Sequence, residues 1–133
     1  MRIFAVPAAV GIPVTHRGVN HDVTVVSGHL PPGHPDSLVQ WGALARLRGT
    51  LVLMMAVDNA PMIAEVLLRG GREAGTPVAV VTEGTMPTER TVLTTLGELA
   101  GAITDQGVRP PAVIVIGDVV AVAHPDSYPQ RLP

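Results

Sequence analysis

Five histidines, eleven acids and no cysteine are the groups with which this chain of 133 residues could do polar chemistry. His29, His34 and Asp36 have the residue types of a cysteine-free metal site, since imidazole and carboxylate are the ligands that remain. Their spacing matches no helical or hairpin ligand pattern, and Pro31, Pro32, Gly33 and Pro35 make the segment read as a solvated loop. His16 and His21 form no better set. Ser27-Gly28-His29 lacks the glycines flanking a serine that a nucleophile elbow requires. Gly70, Gly71 and Gly75 follow a helical pattern and precede a strand, the reverse of a phosphate-binding turn, so they read as a helix stop. No pair of acids sits on a recognisable apolar face for general acid and base work. By residue type, the chain has no catalytic constellation and no metal site.

What the pattern does offer is a set of uncharged strand ends: Met54-Met55-Ala56, Val81-Thr82-Glu83-Gly84 and Pro111-Ala112-Val113. Small residues there let main-chain N–H and C=O groups approach an apolar or aromatic ligand, while methionine adapts to its shape. Core strands and tight turns account for the same residues, and on spacing alone that account is the better one.

The elements that would position these ends follow from alternation of short apolar runs with helical patterns, punctuated by Gly and Pro. Val23 to Ser27, Leu51 to Met55, Val78 to Val81 and Val113 to Ile116, continuing towards Val122, read as strands covered on both faces. Helices are expected from about Ser37 to Arg46, after Asp58 or Asn59 as a cap with Pro61 in the first turn, and from about Leu96 to Gln106. Met62, Ile63, Val66 and Leu67 fall on one face of the middle helix, and Gly70-Gly71 stops it. Thr88 to Thr95 favours a strand, paired with Val78 to Val81 across the Glu83 to Pro87 turn. Phe4 to Val10 reads as the last turns of a helix. With three prolines and little to bury, Pro125 to Pro133 reads as a frayed end.

An apolar fraction of 47% against 15% charged residues argues for a folded chain rather than a disordered one. Its length suits one compact domain. A net charge of -2 without a basic run, and one each of Phe, Trp and Tyr, give no footprint for nucleic acid. No stretch reaches the roughly 18 apolar residues of a membrane span, and the N-terminus lacks a signal-peptide pattern, so the expected location is the cytoplasm.

Three motifs go further. Gly11-Ile12-Pro13-Val14-Thr15-His16-Arg17-Gly18, then Thr76-Pro77-Val78-Ala79-Val80-Val81 leading into Gly84-Thr85, then Pro111-Ala112-Val113-Ile114-Val115-Ile116-Gly117, occur in order. Together they resemble the second half of uroporphyrinogen-III C-methyltransferases, tetrapyrrole methylases that use S-adenosylmethionine. The resemblance implies an α/β fold with a mixed sheet of about five strands flanked by helices, the C-terminal domain of the tetrapyrrole methylase fold. It implies a domain over residues 1–123, a flexible tail over 124–133, and a missing N-terminal domain that supplies the base and most of the tetrapyrrole platform. Through the same resemblance Met55, Thr82, Gly84, Ala112 and Val113 are expected to contact S-adenosyl-L-methionine, with S-adenosyl-L-homocysteine as product.

Met54 and Ala56 stand where the family more often has an aromatic and a glycine, which alters the side-chain shape of that pocket. The expected activity of the full-length protein is methylation of uroporphyrinogen III to precorrin-2, for sirohaem and cobalamin, with no catalytic residue in this fragment, an inactive fragment alone, and a homodimer. The alternatives are another precorrin methyltransferase or a non-catalytic dimerisation module.

Overall fold

The computed structural model describes residues 2–83 and 86–131, with backbone alone for residues 2–4. Five strands form one sheet: β1 (Val23–Ser27), β2 (Thr50–Met54), β3 (Pro77–Thr82), β4 (Arg90–Thr95) and β5 (Ala112–Ile116). The spatial order is β1-β2-β5-β3-β4; β1 and β2 are parallel, and the other three pairings are antiparallel. β1, β2 and β3 therefore run in one direction, and their C-terminal ends lie along the same edge as the start of β5. The expected mixed sheet of five strands is present, as is the expected β3–β4 hairpin.

Both faces of the central strands are covered, which is why their sequences are apolar without alternation. Leu51, Leu53, Val78, Val80, Ile114 and Ile116 point to one face and pack against α2 (Trp41–Arg46), α3 (Ala60–Arg69) and α4 (Leu99–Asp105). Ala79 and Val115 point to the other, under Ile12, α5 (Val119–Ala123) and Tyr128. α1 (Arg2–Ala9) precedes a loop that is pinned to the sheet. There Asn20 Nδ2 donates to Thr50 Oγ1 at 2.6 Å, and Thr50 Oγ1 donates to the Val14 carbonyl at 2.6 Å.

Four expectations change. α2 begins at Trp41, not Ser37, whose hydroxyl instead accepts the Val39 N–H at 3.3 Å in a local turn. α3 buries Ala60, Ile63, Ala64 and Leu67, and Met62 faces out, because the i, i+3, i+4, i+7 stripe begins one residue before Pro61. β5 stops at Ile116. Gly117, at φ 152°, turns the chain into α5, so Val119 to Val122 is helical despite its β-branched content. Residues 125–131 are packed, not loose: the buried Tyr128 hydroxyl donates to the Thr94 carbonyl at 2.7 Å and lies 3.2 Å from that of Val78. Arg131 ties the same segment to Asp118 at 2.8 Å.

Candidate functional site

The shared edge at the C-terminal ends of β1, β2 and β3 holds a cleft of ≈ 710 Å³. Crevices at the carboxyl ends of strands, where the sheet order is interrupted, are where open α/β sheets bind ligands. Here β5 is inserted between β2 and β3, and the flanking chain ends diverge around it. Met54 and Met55 contribute from the end of β2, Val81 and Glu83 from the end of β3, and Pro110 to Val113 from the start of β5. His29, the loop Val57 to Asn59 before α3, and Val6 of α1 complete the wall.

The backbone of this wall is unusual at two positions. Met55 has φ 52° and Glu83 φ 50°, left-handed conformations that cost a residue with a Cβ about 1–2 kcal/mol relative to the right-handed region. Outliers of this kind cluster at binding sites, where surrounding structure holds them. Met55 is also 60% exposed, so its side chain is held over the cleft by backbone geometry rather than by core packing.

Neighbouring contacts fix that geometry. The Gly28 N–H donates to the Met54 carbonyl at 2.7 Å, and Asn59 Nδ2 donates to the Gly28 carbonyl at 2.7 Å. A Cβ on Gly28 would lie 2.6 Å from Ala56 Cβ, so only glycine lets the ends of β1 and β2 approach this closely. Asn59 stands at the N-cap position of α3 but makes no side-chain cap bond; its amide joins β1 to the helix start instead. One step beyond the Thr82–Ala112 pair of the β3–β5 ladder, the Glu83 N–H points to the Pro111 carbonyl at 3.5 Å.

Of the expected contact residues, Met55, Ala112 and Val113 line the cleft together. Thr82 pairs with Ala112 in the sheet but does not line it, and its hydroxyl donates to the Arg90 carbonyl at 3.3 Å. Gly84 lies outside the described residues. Val81, Glu83 and Pro111 belong to the uncharged strand ends read from the sequence, whereas His29, Asp58, Asn59 and Pro110 were missed as part of the cleft. Residues just beyond the ends of three parallel strands are a positional signal, but one that needs the strand order. His29 Nδ1 lies 2.8 Å from Ser27 Oγ, and His34 Nδ1 accepts the Asp36 N–H at 3.0 Å, so these ring nitrogens are engaged within their own loop. Among the described residues no group of three or more His, Asp or Glu converges as a metal would need, and no helix is long and apolar enough to cross a membrane.

Comparison with known proteins places this chain in a lineage. The model of the Tetrapyrrole (Corrin/Porphyrin) Methylases matches residues 2–100. The S-adenosyl-L-methionine-dependent uroporphyrinogen III methyltransferase of Methanosarcina barkeri is 41% identical over 87% of this chain and 46% of its own length. A sirohaem synthase of Chromobacterium violaceum is 39% identical over 93% of this chain and 26% of its own. Among solved structures, the Thermus thermophilus uroporphyrin-III C-methyltransferase complexed with S-adenosyl homocysteine superposes with a TM-score of 0.70, at 39% identity over 86% of this chain and 47% of that one. A cobalt precorrin-4 methyltransferase superposes with a TM-score of 0.80 at 25% identity, covering 90% of this chain and 50% of that one. The chain thus spans about half the length, or less, of the relatives it matches. With the family's model covering residues 2–100 of its 133, the chain belongs to the tetrapyrrole methylase family.

Proposed function

We propose that this chain forms one wall of the S-adenosylmethionine site of a uroporphyrinogen-III C-methyltransferase whose other wall and catalytic base lie in an N-terminal domain. The observation that carries this reading is the coincidence of Met55, Ala112 and Val113 in one cleft, with Met55 held in a left-handed backbone there. The donor set fits the cofactor. Apolar walls suit an adenine ring, main-chain N–H and C=O groups at strand ends suit its edge, and Asp58 and Glu83 offer negative charge to a cation.

When bound, the cofactor supplies an electrophilic methyl group on a sulfonium sulfur. The part of this chain is to hold that group in line with an electron-rich pyrrole carbon and to exclude water, a matter of alignment rather than of acid and base chemistry. Thr82 is outside the contact set we propose, since its hydroxyl is engaged by Arg90. The tetrapyrrole substrate, the second domain and a homodimeric state belong to the same reading; light scattering on the reconstituted protein checks the last.

The test is reconstitution. Mixed with a separately produced N-terminal domain from the same family, this chain is expected to add one or two methyl groups to uroporphyrinogen III, scored by mass, with neither half active alone. No transfer from a demonstrated complex of the two halves would contradict the reading, and transfer only to a later precorrin would move it to another methyltransferase of the family.

A further inference from the structure

At the end of the sheet opposite the cleft, around the starts of β2 and β3 and the end of β5, lies a second hollow of ≈ 530 Å³. Four arginines line it, Arg46, Arg48, Arg72 and Arg131, against two acids, Glu73 and Asp118. Arg131 is engaged with both acids, at 2.8 Å to Asp118 and 3.6 Å to Glu73. Arg72 is different. It is only 8% exposed, and its guanidinium donates to the carbonyls of Leu47 at 2.9 Å, Gly49 at 2.7 Å and Leu44 at 3.3 Å. Those bonds take up three of its five N–H groups and fasten the end of α2 to the start of β2, but a carbonyl carries no counter-charge. Among the described residues no carboxylate lies within ion-pair distance of Arg72.

A buried charge without a counter-ion is costly, and an arginine stays ionised under that cost. Burial lowers the Arg72 pKa, and Asp118 and Asp22 offset this only through space. Arg46 and Arg48, exposed on the rim, form no ion pair among the described residues. Three guanidinium groups without a contacting carboxylate therefore share one concave site of small-molecule size.

We propose that this hollow binds a small polyanion bearing phosphate or carboxylate groups, gripped by Arg46 and Arg48 beside the fixed charge of Arg72. Guanidinium forks match the paired oxygens of both groups. The chain has no basic run to follow a polynucleotide, so the ligand is a compact one. The hollow shares no lining residue with the cleft, so this inference stands or falls independently of the proposed methyl transfer.

Calorimetric titration of the chain with pyrophosphate and with citrate, at constant ionic strength set by chloride, tests it. Saturable one-to-one binding of either probe is expected; pyrophosphate alone would indicate a phosphate ligand and citrate alone a carboxylate one. The R46Q/R48Q double variant, which leaves the buried Arg72 bonds intact, is expected to lose about tenfold or more in affinity, and R109Q, outside the hollow, to lose nothing. Absence of saturable binding up to about 10 mM of both probes would overturn the proposal, as would equal affinities for the R46Q/R48Q variant and the parent chain.

Discussion

The two ends of the sheet are finished in opposite ways. At the arginine end side chains meet the backbone's hydrogen-bonding needs, although the charges of Arg46, Arg48 and Arg72 keep no contacting carboxylate among the described residues: Arg72 takes up three carbonyls, Asn20 and Thr50 pin the preceding loop, and Arg131 holds residues 125–131 to Asp118. At the cleft end it leaves Met55 exposed, two residues in left-handed backbone, and no arginine in the wall. Hydrogen bonds there serve the approach of β1 to β2 and of β1 to α3, not closure of the opening. Side chains that satisfy neighbouring backbone mark structure. Strained backbone with little beyond it marks a surface prepared for something else.

Four changes probe that contrast, beginning with the largest effect. Arg72→Met keeps much of the volume but leaves three carbonyls without their donor, and is expected to destabilise the chain by about 3 kcal/mol while leaving the cleft's ligand preference unchanged. Chemical denaturation followed by fluorescence of Trp41, the sole and buried tryptophan, measures it. Gly28→Ala acts at the other end. Its Cβ forces Ala56 and Ile63 apart, and a loss of about 2 kcal/mol together with weakened cofactor binding by the reconstituted protein is expected. If Gly28→Ala changed stability alone, the tight β1–β2 approach would be structural and not part of the cleft.

Tyr128 offers a pH test of the packed C-terminal segment. Burial pushes its phenol up to about 12. Below the ordinary value of about 10, the phenol is protonated in both folded and unfolded chains, and the difference contributes nothing to the pH dependence. Between pH 10 and about 12 the unfolded chain releases the proton first, so stability falls as pH rises, by about 2 kcal/mol across that window. The chain has one tyrosine, no lysine and no cysteine, so no other side chain ordinarily titrates there. Tyr128→Phe is expected to cost about 1 kcal/mol at neutral pH and to flatten stability above pH 10. An unchanged slope would mean that residues 125–131 are not held by this group.

The smallest effect carries the sharpest contrast. Met55→Gly relieves the left-handed backbone and is expected to raise stability by about 1 kcal/mol while lowering cofactor affinity in the reconstituted protein. A loss of stability would place Met55 with the structural residues and erase the distinction between the two ends.

What could be read from sequence follows the same division. The strands were legible because central strands covered on both faces must be apolar throughout, as Leu51 to Leu53 and Val78 to Val81 are. α5 was not, since Val119 to Ala123 has the composition of a strand and becomes helical only because Gly117 turns the chain across the Ile12 and Tyr128 layer. Tyr128 itself was hidden among prolines, with nothing local to indicate that a single aromatic would anchor the segment. In the cleft, Met55, Ala112 and Val113 were reached through motif resemblance. His29, Asp58 and Asn59 were not, because it is the parallel pairing of β1 with β2, next to β5, that brings the loops after β1 and β2 to the start of β5, and that order is written in no local pattern.

The most direct test of the cleft as half of a cofactor site uses the methionines as reporters. The chain has five, of which Met54 and Met55 line the cleft while Met62 lies exposed on α3. With methyl-labelled methionine, S-adenosylhomocysteine is to be added to the complex of this chain with a family N-terminal domain, and the methyl resonances followed by NMR. Saturable shifts of Met54 and Met55 with Met62 unmoved are the predicted result. Binding that leaves both cleft methionines unmoved would contradict the assignment of this edge of the sheet to the cofactor.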